Sequence, residues 1–108
     1  MFFKVQLTDD AVLDLDDVCD YIRRYRSPVA AEHVLERIEQ ALSSLSEYPN
    51  RGGFPKELLD VGIREYREIF ITPYRIVYRV TDQTVDVYLI ADGRRDMRTL
   101  LQRRLLHA

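Results

Sequence analysis

The 108-residue sequence is 46% hydrophobic and 31% charged, with a formal net charge of −2. That length supports one modest core and not two, and that balance excludes a disordered chain. A single cysteine, Cys19, excludes an internal disulfide or a cysteine-built zinc site; no apolar run reaches the roughly 20 residues of a membrane helix. The N-terminal MFFKVQLTDD lacks the pattern of a signal peptide. The expectation is one domain over residues 1–108, cytoplasmic, away from membranes, and without metal or cofactor.

In chain order, FKVQL (3–7) alternates apolar and polar residues and predicts a half-buried strand. Thr8, Asp9 and Asp10 offer N-cap chemistry for a helix whose apolar stripe is Ala11, Leu15, Val18 and Ile22. Ser27-Pro28 then ends one helix and starts the next, with Ser27 as cap and Pro28 at the first helical position. The second stripe is Ala31, Val34, Leu35, Ile38, Leu42 and Leu45, so the two helices form an antiparallel hairpin. YPNRGGFPK (48–56) reads as a loop. Three strands follow, over 62–71, 74–81 and 84–91, with connections short enough for an antiparallel meander. Met97, Leu100, Leu101 and Leu105 make a short amphipathic C-terminal helix, expected to pack on its own domain. The fold class is α+β in two layers, β-α-α-β-β-β with that C-terminal helix: an antiparallel sheet with a helical hairpin on one face.

Charge is unevenly spread. Residues 1–48 hold five basic and ten acidic side chains, whereas residues 49–108 hold eleven basic and eight acidic, ten of those eleven being Arg. Arginine suits bidentate contacts with carboxylate or phosphate, while the acidic total argues against indiscriminate coating of nucleic acid. Alternation in YRIVYRV sets Tyr74, Ile76, Tyr78 and Val80 against the helices and leaves Arg75 and Arg79 on the other, free face. In the preceding strand Ile63, Ile69 and Ile71 are expected to point inward, with Arg64, Tyr66, Glu68 and Phe70 outward. Arg67 breaks that alternation and marks the sheet edge, an ion pair to a helix, or a bulge. Arg94 and Arg95, just after Gly93, are expected beside the same face. The candidate surface is therefore Arg64, Tyr66, Glu68, Arg75, Arg79, Arg94 and Arg95.

REYREIFITPYRIVYRV followed by VDVYLIADGRRDM, with AVLDLDDVCDYI and SPVAAEHVLERIEQALSSL upstream, resembles the RelE/ParE superfamily of toxins from type II toxin–antitoxin modules over nearly the whole chain. The resemblance is closer to the ParE, or plasmid-stabilisation, branch. It implies a growth-inhibiting toxin neutralised in a hetero-oligomeric complex with a cognate antitoxin, whose carboxylates would meet the toxin's arginines.

Within the superfamily, RelE-like members cleave mRNA on the ribosome, and their two arginines match Arg75 and Arg95 by position. Their lysine pair falls here on Tyr66 and Glu68, and their C-terminal aromatic on or near Leu101. RNA cleavage by 2′-OH attack needs a base, cations for the phosphorane and an acid for the leaving oxygen. Arg75 and Arg95 supply only cations, so a ribonuclease here would need Glu68 or Glu57 as base. His33 and His107 are expected at the surface. ParE-like members, which poison DNA gyrase without being enzymes, need no such set. The resemblance thus favours a gyrase inhibitor, with a ribonuclease as the alternative and an inert antitoxin-binding module as a third. Arg75 also has a purely structural alternative, an ion pair with Glu68 or Asp86.

Overall fold

The computed structural model describes residues 2–106. In chain order these form β1 (Lys4–Leu7), α1 (Asp9–Tyr25), α2 (Pro28–Glu47), α3 (Lys56–Leu59), β2 (Arg67–Ile71), β3 (Tyr74–Thr81), β4 (Thr84–Asp92) and α4 (Met97–Leu105). Both long helices start where their caps dictate. The Thr8 hydroxyl accepts from the Ala11 amide at 3.1 Å, and the Ser27 hydroxyl accepts from the Ala30 amide at 3.0 Å with Pro28 opening the helix. Acidic Asp9 and Asp10 occupy the first turn of α1 and basic Arg23 and Arg24 its last, both favourable to the helix dipole.

The four strands order as β1-β4-β3-β2. The expected meander β2-β3-β4 is antiparallel, while β1 joins it parallel to β4, which makes the sheet mixed. The hairpin covers one face: Ile22, Val34, Ile38 and Leu45 pack on Ile69, Ile76, Tyr78 and Val87. Burying each such side chain contributes roughly 1.5–3 kcal/mol.

The opposite face is not free. The expected strand from residue 62 is extended only from Arg67, because Pro55 starts a single helical turn, α3, and Ile63 packs on the second face instead of pointing toward the hairpin. There α3 and α4 close over the sheet with Leu58, Met97 and Leu101 on Val77, Leu89 and Ala91. The leucine stripe of α4 therefore packs on its own chain. A bulge assists: Val77 pairs with Leu89 but Tyr78 with Val87, so Tyr88 is the extra residue and both Tyr88 and Leu89 join this second cluster.

Arg67 sits at the sheet edge. Its guanidinium donates to the Gly52 carbonyl at 2.7 Å and lies 4.6 Å from the centre of the Phe54 ring. The loop runs along β2 here, with the Glu68 amide donating to the Gly53 carbonyl at 2.8 Å and the Gly52 amide to the Tyr78 hydroxyl at 3.1 Å. Gly52 is required by that approach, because a Cβ would stand 2.4 Å from the Glu68 carbonyl oxygen.

Candidate functional site

Arg75 is the centre of the second face. β3 places it opposite Ala91 and beside Phe70, and only 7% of it is exposed. Its Nη1 and Nη2 donate in parallel to the two Glu57 oxygens at 2.9 and 2.8 Å, and its Nε donates to Glu68 Oε1 at 2.7 Å. The Phe70 ring covers it, 5.7 Å from the guanidinium carbon. Gly93 permits the arrangement: a Cβ there would stand 2.9 Å from Arg75 Cδ.

This is a correction to the expected exposure of Tyr66, Glu68 and Arg75, all three of which are buried. Alternation assigned the face correctly, but α3 and α4, distant in sequence, cover it. Glu68 rather than Asp86 is the cross-strand partner, since Asp86 accepts from Gln6. Glu57 is the partner that sequence reasoning missed as such. The signal available was Pro55 followed by Lys-Glu-Leu-Leu, a proline-led run of helix formers, which starts a helix but does not say where that helix docks.

The electrostatics follow from one cation shared by two carboxylates. The fork from Arg75 holds the Glu57 carboxyl down at about 2. Burial pushes Glu68 up, with the Arg75 hydrogen bond pulling against it. The hydrogen bonds that Arg75 donates to Glu57 raise Arg75 further above its already high range. The cluster is a structural ion triad of one guanidinium and two carboxyl groups, in which all three nitrogens of Arg75 already face a carboxylate oxygen.

The remaining candidates separate into two places. Tyr66 packs edge-on against Tyr88 with ring centres 5.5 Å apart, and the Arg79 guanidinium lies 6.0 Å from the Tyr66 ring. Burial raises the Tyr66 phenol. Arg64 is exposed in the irregular segment before β2. Arg94 and Arg95 do not extend this patch as expected. They line a groove of about 490 Å³ against α1, together with Val18, Tyr21, Ile22 and Tyr74. Arg94 forks onto Asp92 at 2.9 and 2.6 Å and lowers that carboxyl, whereas the Arg95 side chain is exposed and has no ion-pair partner among the described residues.

Of the other titratable groups, His33 is exposed, Cys19 is buried with its thiol pushed up by burial, and His107 lies outside the described residues. Among the described residues no group of three His, Cys, Asp or Glu side chains is placed to hold a metal ion, and no helix is long and apolar enough to cross a membrane.

The family described as "ParE toxin of type II toxin-antitoxin system, parDE" matches residues 5–97. The chain belongs to the ParE toxin family. A curated relative named Toxin RelE2, from Caulobacter vibrioides, is 36% identical over 92 residues, covering 85% of this chain and 97% of that protein. A solved structure described as the chromosomal ParDE TA system from P. aeruginosa shares the fold, with a TM-score of 0.69 at 18% identity, over 84% of this chain and 96% of that one. The protein is therefore a type II toxin, and membership implies a cognate antitoxin. The family's name and that relative's name belong to the two branches of the superfamily, ParE and RelE.

Proposed function

We propose that this toxin, acting as one domain in the cytoplasm, inhibits DNA gyrase and is held inactive by its antitoxin. The observation that carries the reading is the Arg75 triad. The position that matches a RelE-like arginine is buried, and its fork is consumed by Glu57 and Glu68. A carboxylate with a pKa of about 2, as at Glu57, is too weak a base to take a hydroxyl proton at neutral pH. Glu68 is engaged with Arg75, and Tyr66 and Glu68 stand where lysines would. A ribonuclease would have to dismantle this cluster to act. A gyrase inhibitor needs only exposed contacts, and Arg95, with Arg64, Arg79 and Arg94 as further contacts, is the side chain best suited to make them.

The test is a supercoiling assay with gyrase and the toxin freed from its antitoxin, beside the Arg95→Ala variant. Wild type is expected to block supercoiling and trap cleaved DNA, and the variant to lose at least about tenfold in potency, a typical cost for an exposed charged contact at a target surface. Cleavage of mRNA in a translating extract with gyrase untouched overturns the reading in favour of the ribonuclease. Neither activity would leave an inert antitoxin-binding module.

A further inference from the structure

Two large aromatic rings on α1 take no part in either apolar cluster. Tyr21 and Tyr25 stand one helical turn apart with ring centres 4.7 Å from each other, and they are 64% and 66% exposed. A side-chain pair at that spacing steadies a helix only slightly, so the fold alone gives little reason to keep both rings in water.

Tyr21 also lines the groove of about 490 Å³ between α1 and the end of β4, and the apolar wall continues through Val18, Ile22 and Tyr74. That volume falls among those of small-ligand sites, about 300–1,000 Å³. Four arginines and three aspartates line the groove, but two of the aspartates are already engaged. Asp14 is held by Arg104 at 2.7 Å, which ties α4 to α1, and Asp92 is held by Arg94 at 2.6 Å. Arg26, Arg37 and Arg95 are exposed and have no ion-pair partner among the described residues. Three free cations thus face one free carboxylate, Asp17. The chain as a whole carries −2, so this surplus is a focused site and not part of a generally basic surface.

A ligand that satisfies both features must carry negative charge and present flat apolar faces. An acidic peptide offers the charge and leaves the paired rings unused. Duplex DNA offers phosphates, but its bases are stacked on one another inside the helix. An unpaired strand offers both at once: bases for aromatic platforms and phosphates for arginines.

We propose that the groove is a binding site for single-stranded DNA, and that the toxin holds a strand there when gyrase opens the duplex. One base lies on Tyr21 and its neighbour on Tyr25, while phosphates meet Arg26, Arg37 and Arg95. The choice of DNA over RNA rests on the reading that gyrase is the target.

The experiment titrates the toxin, freed from its antitoxin, with fluorescently labelled dT20 over a range of salt concentrations. Three phosphate contacts predict that log K falls against log salt with a slope of about −2. The Arg26→Ala/Arg37→Ala variant should bring that slope to about −0.7. The Tyr21→Ala/Tyr25→Ala variant should bind at least about tenfold more weakly with the slope unchanged, whereas Tyr21→Phe/Tyr25→Phe keeps the rings and should bind as wild type does. All four side chains are exposed, so thermal unfolding serves as the folding control.

An unchanged slope in the arginine variant overturns the proposal, as does unchanged affinity in the alanine variant of the tyrosines. So does a DNA duplex that binds as tightly as dT20, an oligouridylate of the same length that binds more tightly, or an oligoglutamate that displaces dT20 at equal charge. Supercoiling assays then separate site from target. If the Tyr21→Ala/Tyr25→Ala variant loses dT20 and inhibits gyrase as wild type does, the proposal falls and the target stands. If wild type binds dT20 as described and leaves gyrase untouched, the target falls and the groove remains a single-strand site.

Discussion

Arg75 and Arg95 lie on opposite sides of the same strand end, and their surroundings have opposite consequences. Arg75 is desolvated, shared by two carboxylates, and roofed by α3 and α4. Arg95 stands in water at the rim of a groove, with no ion-pair partner among the described residues. In a dry site a charge is held by its partners and becomes part of the fold; at a wet rim it costs the fold nothing to keep and is available to another molecule. Position in a motif does not distinguish the two. Burial does.

The largest test of that contrast is Arg75→Ala. It leaves buried Glu68 and partly buried Glu57 uncompensated, so urea unfolding is expected to show a loss of roughly 3–5 kcal/mol. A loss under 1 kcal/mol would mean that the triad is not the lock its geometry describes.

Acid titration sharpens the same point. Glu57 is depressed in the folded state from 4.5 to about 2, so its contribution is present above 4.5 and is lost as pH falls toward 2. That difference corresponds to roughly 3 kcal/mol at neutral pH. Glu68 has the opposite sign: its raised folded pKa means that stability falls as pH rises from its unfolded value through the folded one. Glu57→Gln should flatten the acid limb of a stability–pH curve, and Glu68→Gln the limb above it. An acid limb unchanged in Glu57→Gln would break the assignment.

Gly93→Ala is next in size. A methyl there meets Arg75 Cδ at 2.9 Å and the Pro73 carbonyl oxygen at 3.3 Å, so thermal unfolding should report a loss of roughly 1–3 kcal/mol. Pairing it with Arg75→Ala should make the two losses less than additive, since the second change removes the clash. The smallest effect is Arg95→Ala, expected within about 0.5 kcal/mol of wild type in the same unfolding experiment. A larger loss would place Arg95 in the fold and weaken its role at the surface.

Much of this architecture was legible in the residues. Thr8, Ser27 and Pro28 set the helix starts, the stripes from Ala11 to Ile22 and from Ala31 to Leu45 set which faces meet the sheet, and the short turns after Ile71 and Thr81 set the meander. These are signals within a few residues of where they act. The resemblance to the toxin family was legible for the same reason, since it rests on the order and spacing of such elements. Alternation also named the correct face for Arg75 and Arg79. It left open what covers that face, because Glu57 reaches Arg75 across 18 residues and Arg104 reaches Asp14 across 90. No local pattern encodes those distances. The sequence by itself determined the two long helices, the meander and the face the hairpin covers, each a matter of caps, periodicity and turn chemistry, but not α3 or the start of β2. Only the tertiary structure decided which arginine is buried and which is free, because burial belongs to elements that meet from far apart in the chain.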